Sequence, residues 1–97
     1  MKLIFDRTQV ADPQMFMRRC GYGLHKTRNG EVSYVKRVHH DWYPRYHVYI
    51  LEEKDKIVVN LHLDQRAPVY EGVTAHAGEY DGVVVEKEID RIKNFIV

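Results

Sequence analysis

From Tyr46 to Asp64 apolar residues recur at every second position on either side of the charged run Glu52-Glu53-Lys54-Asp55-Lys56. Folding this stretch as a hairpin about Lys54-Asp55 puts Tyr46, Val48, Ile50, Ile57, Val59, Leu61 and Leu63 on one face. His47, Tyr49, Leu51, Val58, Asn60, His62 and Asp64 share the other. In that register His47 stands opposite His62, and Tyr49 opposite Asn60. A slip of one residue would bury His47 among the aliphatics, so the pattern itself selects the pairing.

The flanking segments read as further elements. Lys2 to Phe5 alternates as a short strand. Asp12-Pro13 starts a helix, with Asp at the N-cap and Pro in the first turn, where its missing N–H costs nothing. That helix runs over 13–20 and stops at Gly21, which suits a left-handed cap; Phe16 and Cys20, four apart, share its inner side. Asn29-Gly30 favours a tight turn. It pairs 22–28 with 31–37, placing Arg28 opposite Glu31, His25 opposite Tyr34 and Leu24 opposite Val35. One face of this second hairpin carries His25, Thr27, Val32, Tyr34 and Val38. The other carries Tyr22, Leu24, Lys26, Arg28, Val35 and Arg37, and the pattern leaves open which of them is buried.

Residues 38–44 form a connection dense in side chains, and 65–82 form a long segment without period, of the kind often found as a lid or partner contact. The last segment is an amphipathic helix over 83–96 with Val85, Ile89, Ile92 and Ile96 as its stripe, opened by Asp81 or Gly82. Together these predict a single α+β domain spanning 1–97, in the order β-α-ββ-ββ-α. Its twisted antiparallel sheet carries both helices on one face. The expected core is Phe16, Tyr46, Val48, Ile50, Val59, Leu61, Leu63, Ile89 and Ile92. On the second face, Tyr49, Leu51 and Val58 are too apolar for plain solvent. Either the 65–82 loop covers them or a homodimer packs there sheet to sheet.

Composition narrows the class. With 44% hydrophobic and 30% charged residues the chain is neither disordered nor fibrous. No apolar run is long enough to span a bilayer, and the first residues lack a signal-peptide core, so a cytoplasmic location is expected. A single cysteine excludes an internal disulfide and a Cys-rich zinc module. Net charge is +1 but divides into +5 over residues 1–51 and −4 over 52–97. Such asymmetry marks a basic binding face or simply a dipolar, solvated fold.

Two constellations carry possible chemistry. His47 and His62 face each other across the hairpin, with Asp64 beside them and His76 and Glu79 in the following loop. Imidazoles and carboxylates are the donors of zinc and related divalent ions. Asp64 can ligate or orient a histidine. No short-spaced ligand motif supports the set, and the plainer alternative is a packed histidine pair. The second constellation is nucleic-acid binding, RNA above all, by Tyr22, Lys26, Arg28, Arg37, Trp42 and Arg45, which interleave cations with aromatics. No established RNA-binding motif accompanies them, and a solvated charged hairpin is the plainer alternative. A homodimeric interaction protein without chemistry is a third reading, and whether the chain is an enzyme stays open. Cys20, at a helix C-terminus without a histidine–acid partner, reads as packing rather than as a nucleophile.

The segments Arg18-Arg19-Cys20-Gly21-Tyr22-Gly23, Tyr43-Pro44-Arg45-Tyr46-His47, Asn60-Leu61-His62-Leu63-Asp64-Gln65 and His76-Ala77-Gly78-Glu79-Tyr80-Asp81-Gly82 resemble a family of small uncharacterised bacterial proteins from candidate-phyla genomes. The resemblance covers nearly the whole chain. It implies no activity and transfers no site residue.

Overall fold

The computed structural model describes residues 1–28, 31–65, 78–79 and 82–96, with the side chains of 26–28, 31 and 78–79 left aside. It forms an antiparallel sheet with two helices. In chain order these are β1 (Lys2–Asp6), α1 (Pro13–Arg19), β2 (Gly23–Arg28), β3 (Glu31–Arg37), β4 (Arg45–Glu52), β5 (Lys56–Asp64), β6 (Gly78–Glu79) and α2 (Val83–Lys93). The strands lie in the order β1-β5-β4-β3-β2, and β6 pairs β5. This is the expected α+β domain with one strand more: the two-residue β6 falls where a loop without period was read.

The long hairpin takes the expected register. Val48 pairs with Leu61 and Ile50 with Val59, while His47 pairs with His62 and Tyr49 with Asn60. The aliphatic row faces Phe16, Met17, Val85, Ile89 and Ile92 of the helices to form one core with Phe5, Tyr22 and Tyr34. Tyr46 packs against that core but stays half-exposed.

The helix signals act as read. Asp12 accepts a hydrogen bond from the Met15 amide at 3.2 Å. Gly21, at φ 95°, takes the left-handed turn that a side chain would resist. Gly82 opens α2 without a side-chain cap. Both helices end slightly early, at Arg19 and Lys93, and Ile96 lies half-buried beyond the second. A buried polar cluster ties them together. Glu88 accepts from the Tyr22 hydroxyl at 2.6 Å and from Arg91 Nε at 2.8 Å, and Arg91 Nη2 also donates to the Cys20 carbonyl at 2.6 Å. Burial and the Glu88 carboxylate push the Tyr22 hydroxyl far up, so it remains a donor.

The second hairpin departs from its expected register. Arg28 does pair with Glu31, but Leu24 pairs with Tyr34 and Gly23 with Val35, because a β-bulge intervenes between Leu24 and Lys26. The Asn29-Gly30 turn itself lies outside the described residues. The uninterrupted register would have set Tyr22 and Tyr34 on opposite faces; the extra residue lets both enter the core, at 3% exposure each. That resolves which face is buried.

Leu61 is 1% exposed and Ile89 4%, at the centre of the sheet–helix interface. Leu61→Ala or Ile89→Ala is expected to lower the unfolding free energy by about 2–5 kcal/mol, read from the midpoint of urea denaturation.

Candidate metal centre

The second face of the sheet brings the candidate ligands together through backbone pairing alone. Arg45 pairs with Asp64, and His47 with His62, so these four residues mark the corners of a square on two adjacent strands. Asp64 is its hub. Its Oδ2 accepts from Arg45 Nε and from His47 Nδ1, each at 3.0 Å. Its Oδ1 receives His62 Nε2 at 2.7 Å. Burial alone would raise the Asp64 carboxyl, but hydrogen bonds from His47, His62 and Arg45 outweigh it and hold the group well below the usual carboxylate range. An ionised carboxylate only accepts, so both imidazoles turn an N–H toward it.

The histidines are buried, His47 and His62 at 7% exposure each. Tyr49, one step along β4, stacks on His47 with ring centroids 4.5 Å apart and on His62 at 5.5 Å. Edge-on against His47 at 5.5 Å is His25. Its position follows from the bulge, which re-aims a side chain of β2 onto this face. The uninterrupted register set His25 on the Tyr34 face; the signal that could have moved it was the misfit of Tyr22 and Tyr34. Beyond it lies Trp42, at 6.4 Å from His25. The Arg45 guanidinium sits 5.0 Å from the Trp42 ring and 4.7 Å from Tyr43, with Arg37 4.5 Å from Trp42. Two buried nitrogens in this group, Arg45 Nη1 and His47 Nε2, have no hydrogen-bond partner among the described residues.

Of the five residues expected to bind metal, His47, His62 and Asp64 are thus assembled, with candidate ligand atoms all within 4.8 Å of one another. His76 lies outside the described residues. Glu79 is in register with Leu63, a core-row position, and the residue opposite Asp64 is Gly78, so the row holding His62 and Asp64 continues onto glycine.

The nucleic-acid set is dispersed. Tyr22 is no stacking platform, because it is buried with its hydroxyl on Glu88, and Arg45 is buried against Asp64 rather than open to phosphate. Arg37 and Trp42 are exposed and stacked on each other, and the side chains of Lys26 and Arg28 lie outside the described ones. The face expected to need a second copy is covered in part within one chain. His47 and Val58 are already buried there, while Ile4 and Leu51, the two residues paired with Val58, stay exposed.

Compared with known proteins, the chain matches no family model, no curated protein and no solved structure. Among the described residues, no helix is long and apolar enough to cross a membrane.

Removing the hub charge strands three donors. Asp64→Asn is expected to cost about 3–5 kcal/mol near neutral pH, as for other broken buried ion pairs. The folded-state carboxyl titrates below its unfolded value of about 3.9. Its stabilisation is therefore complete above that pH and is lost as pH falls toward the folded-state value. The gap between the melting curves of the native chain and Asp64→Asn should accordingly narrow below about pH 4. Cys20 gives a second check. Burial is the main cause that pushes its thiol up to about 11. It should resist alkylation at neutral pH in the folded protein and react once denaturant unfolds the chain.

Proposed function

We propose that this protein binds a divalent transition-metal ion, zinc by its donor set, through His47, His62 and Asp64. The observation that carries the reading is the convergence of two imidazoles and one carboxylate within 4.8 Å on a rigid sheet face. Two nitrogens and a carboxylate oxygen make a donor set that zinc uses, and three protein ligands leave a coordination position open. Arg45 supports the arrangement from outside. It occupies Oδ2 and fixes the carboxylate plane, leaving Oδ1 on the His62 side to ligate. Metal entry requires each imidazole to present a lone pair where it now presents an N–H, so the ring protons move to the outer nitrogens.

Elemental analysis of the untagged protein should find one zinc per chain, and added zinc should raise the melting temperature. A free metal concentration a hundred times Kd corresponds to about 2.7 kcal/mol of added stability. His62→Ala should weaken zinc binding by more than the roughly 10–100-fold typical of losing an outer partner, while the fold persists. A metal-free chain whose melting ignores zinc would overturn the proposal and leave the cluster as a packed polar network.

A further inference from the structure

The two partnerless nitrogens point past the metal to what shares its site. Arg45 Nη1 and His47 Nε2 are buried without a hydrogen-bond partner among the described residues. Leaving such groups unpaired is unfavourable, and more so for a charged one. They are also adjacent in the network, since Arg45 Nε and His47 Nδ1 converge on the same Asp64 oxygen. From there the contacts close into a ring. Arg45 touches Trp42, Trp42 approaches His25, and His25 stands edge-on to His47.

The chemistry of the pair decides the ligand. A guanidinium nitrogen can only donate. His47, once its Nδ1 lone pair is on a metal, carries its proton on Nε2, which makes that atom a donor as well. Two buried donors without an acceptor, on side chains that meet at one carboxylate oxygen, call for an acceptor bearing negative charge. We propose that this ring is an oxyanion site beside the metal, taking the phosphate or carboxylate group of a small ligand. Arg45 Nη1 and His47 Nε2 are its donors, and the exposed Arg37, stacked on Trp42, draws the anion in. The proposal rests on the metal reading for the proton on His47, whereas Arg45 Nη1 is a donor in either case. The outer members, His25 and Trp42, are exposed, Trp42 at 44%.

Trp42 is the single tryptophan of the chain, so its fluorescence reports on the ring directly. Inorganic phosphate and, separately, acetate are titrated into the zinc-loaded protein and into the metal-free protein. A saturable change in emission is expected with at least one of them: phosphate alone assigns a phosphoryl ligand, and acetate a carboxylate. Arg45→Lys keeps a cation beside Asp64 but has no second nitrogen; with zinc held at saturation for this variant, it should weaken the response about tenfold or more. Arg37→Gln alters an exposed residue outside the ligand set and should weaken the response several-fold at low salt, with the difference vanishing at high salt. A protein that binds zinc but answers neither anion overturns this inference and leaves the metal reading standing, and so does an unchanged response in both variants. If zinc fails to bind, the metal reading falls and the metal-free titration decides: a response that Arg45→Lys removes upholds the anion site, and none ends it.

Discussion

The pairing of β4 with β5 is the constraint on which everything else depends. Val48, Ile50, Val59 and Leu61 are all 4% exposed or less, and each pairs within that set across the two strands. A one-residue slip would carry this row to the outer face and drive His47, His62 and Asp64 into the helices' side. The aliphatic burial that holds the core therefore also fixes, to within a side chain's reach, where the imidazoles and the carboxylate meet. Site and core are two sides of one hydrogen-bonded ladder, and neither can be rearranged alone.

On the outer side of that ladder, one charge organises three residues around it. Asp64 is kept ionised in spite of partial burial because Arg45, His47 and His62 each spend a donor on it. The arrangement is costly to desolvate and survives because the carboxylate is well supplied with partners. Its imbalance is informative: the acceptor is satisfied, whereas two of the donors' remaining nitrogens are not. Stacking by Tyr49, Trp42 and Tyr43 holds the rings and the guanidinium in place, so the network is a preformed surface rather than a loose cluster.

How far all this was legible in the chain depends on the element. The 46–64 hairpin was readable to the residue because apolar residues at every second position of two long strands leave one register. The ends of α1 were readable to within a residue because Asp12, Pro13 and Gly21 act locally. The bulge beside His25 was not, since nothing in Leu24-His25-Lys26 marks it; only the joint burial of Tyr22 and Tyr34 demands it. Strand β6 is two residues long, too short to show a period. Tyr22 and Arg45 were misassigned to a nucleic-acid surface because an aromatic or a cation reads as exposed until its buried partner, Glu88 or Asp64, is located in space. Those partners lie 66 and 19 residues away.

The order of strands in the sheet has a consequence for how the molecule assembles. β1 docks on β5, not on β2, so this strand has no neighbour in the sheet until residues 56–60 exist. The Tyr22–Glu88 bond reaches still farther along the chain. The β2–β3 and β4–β5 hairpins are local and can form as soon as each is made, whereas β1 and α2 are clasped on afterwards from opposite ends. Loop closure on that scale slows folding more than it weakens the product. A nascent chain halted before β5 would expose the unpaired strand Lys2–Asp6, with Leu3, Ile4 and Phe5 in succession. The long hairpin is thus the acceptor that ends the vulnerable period of β1 during synthesis.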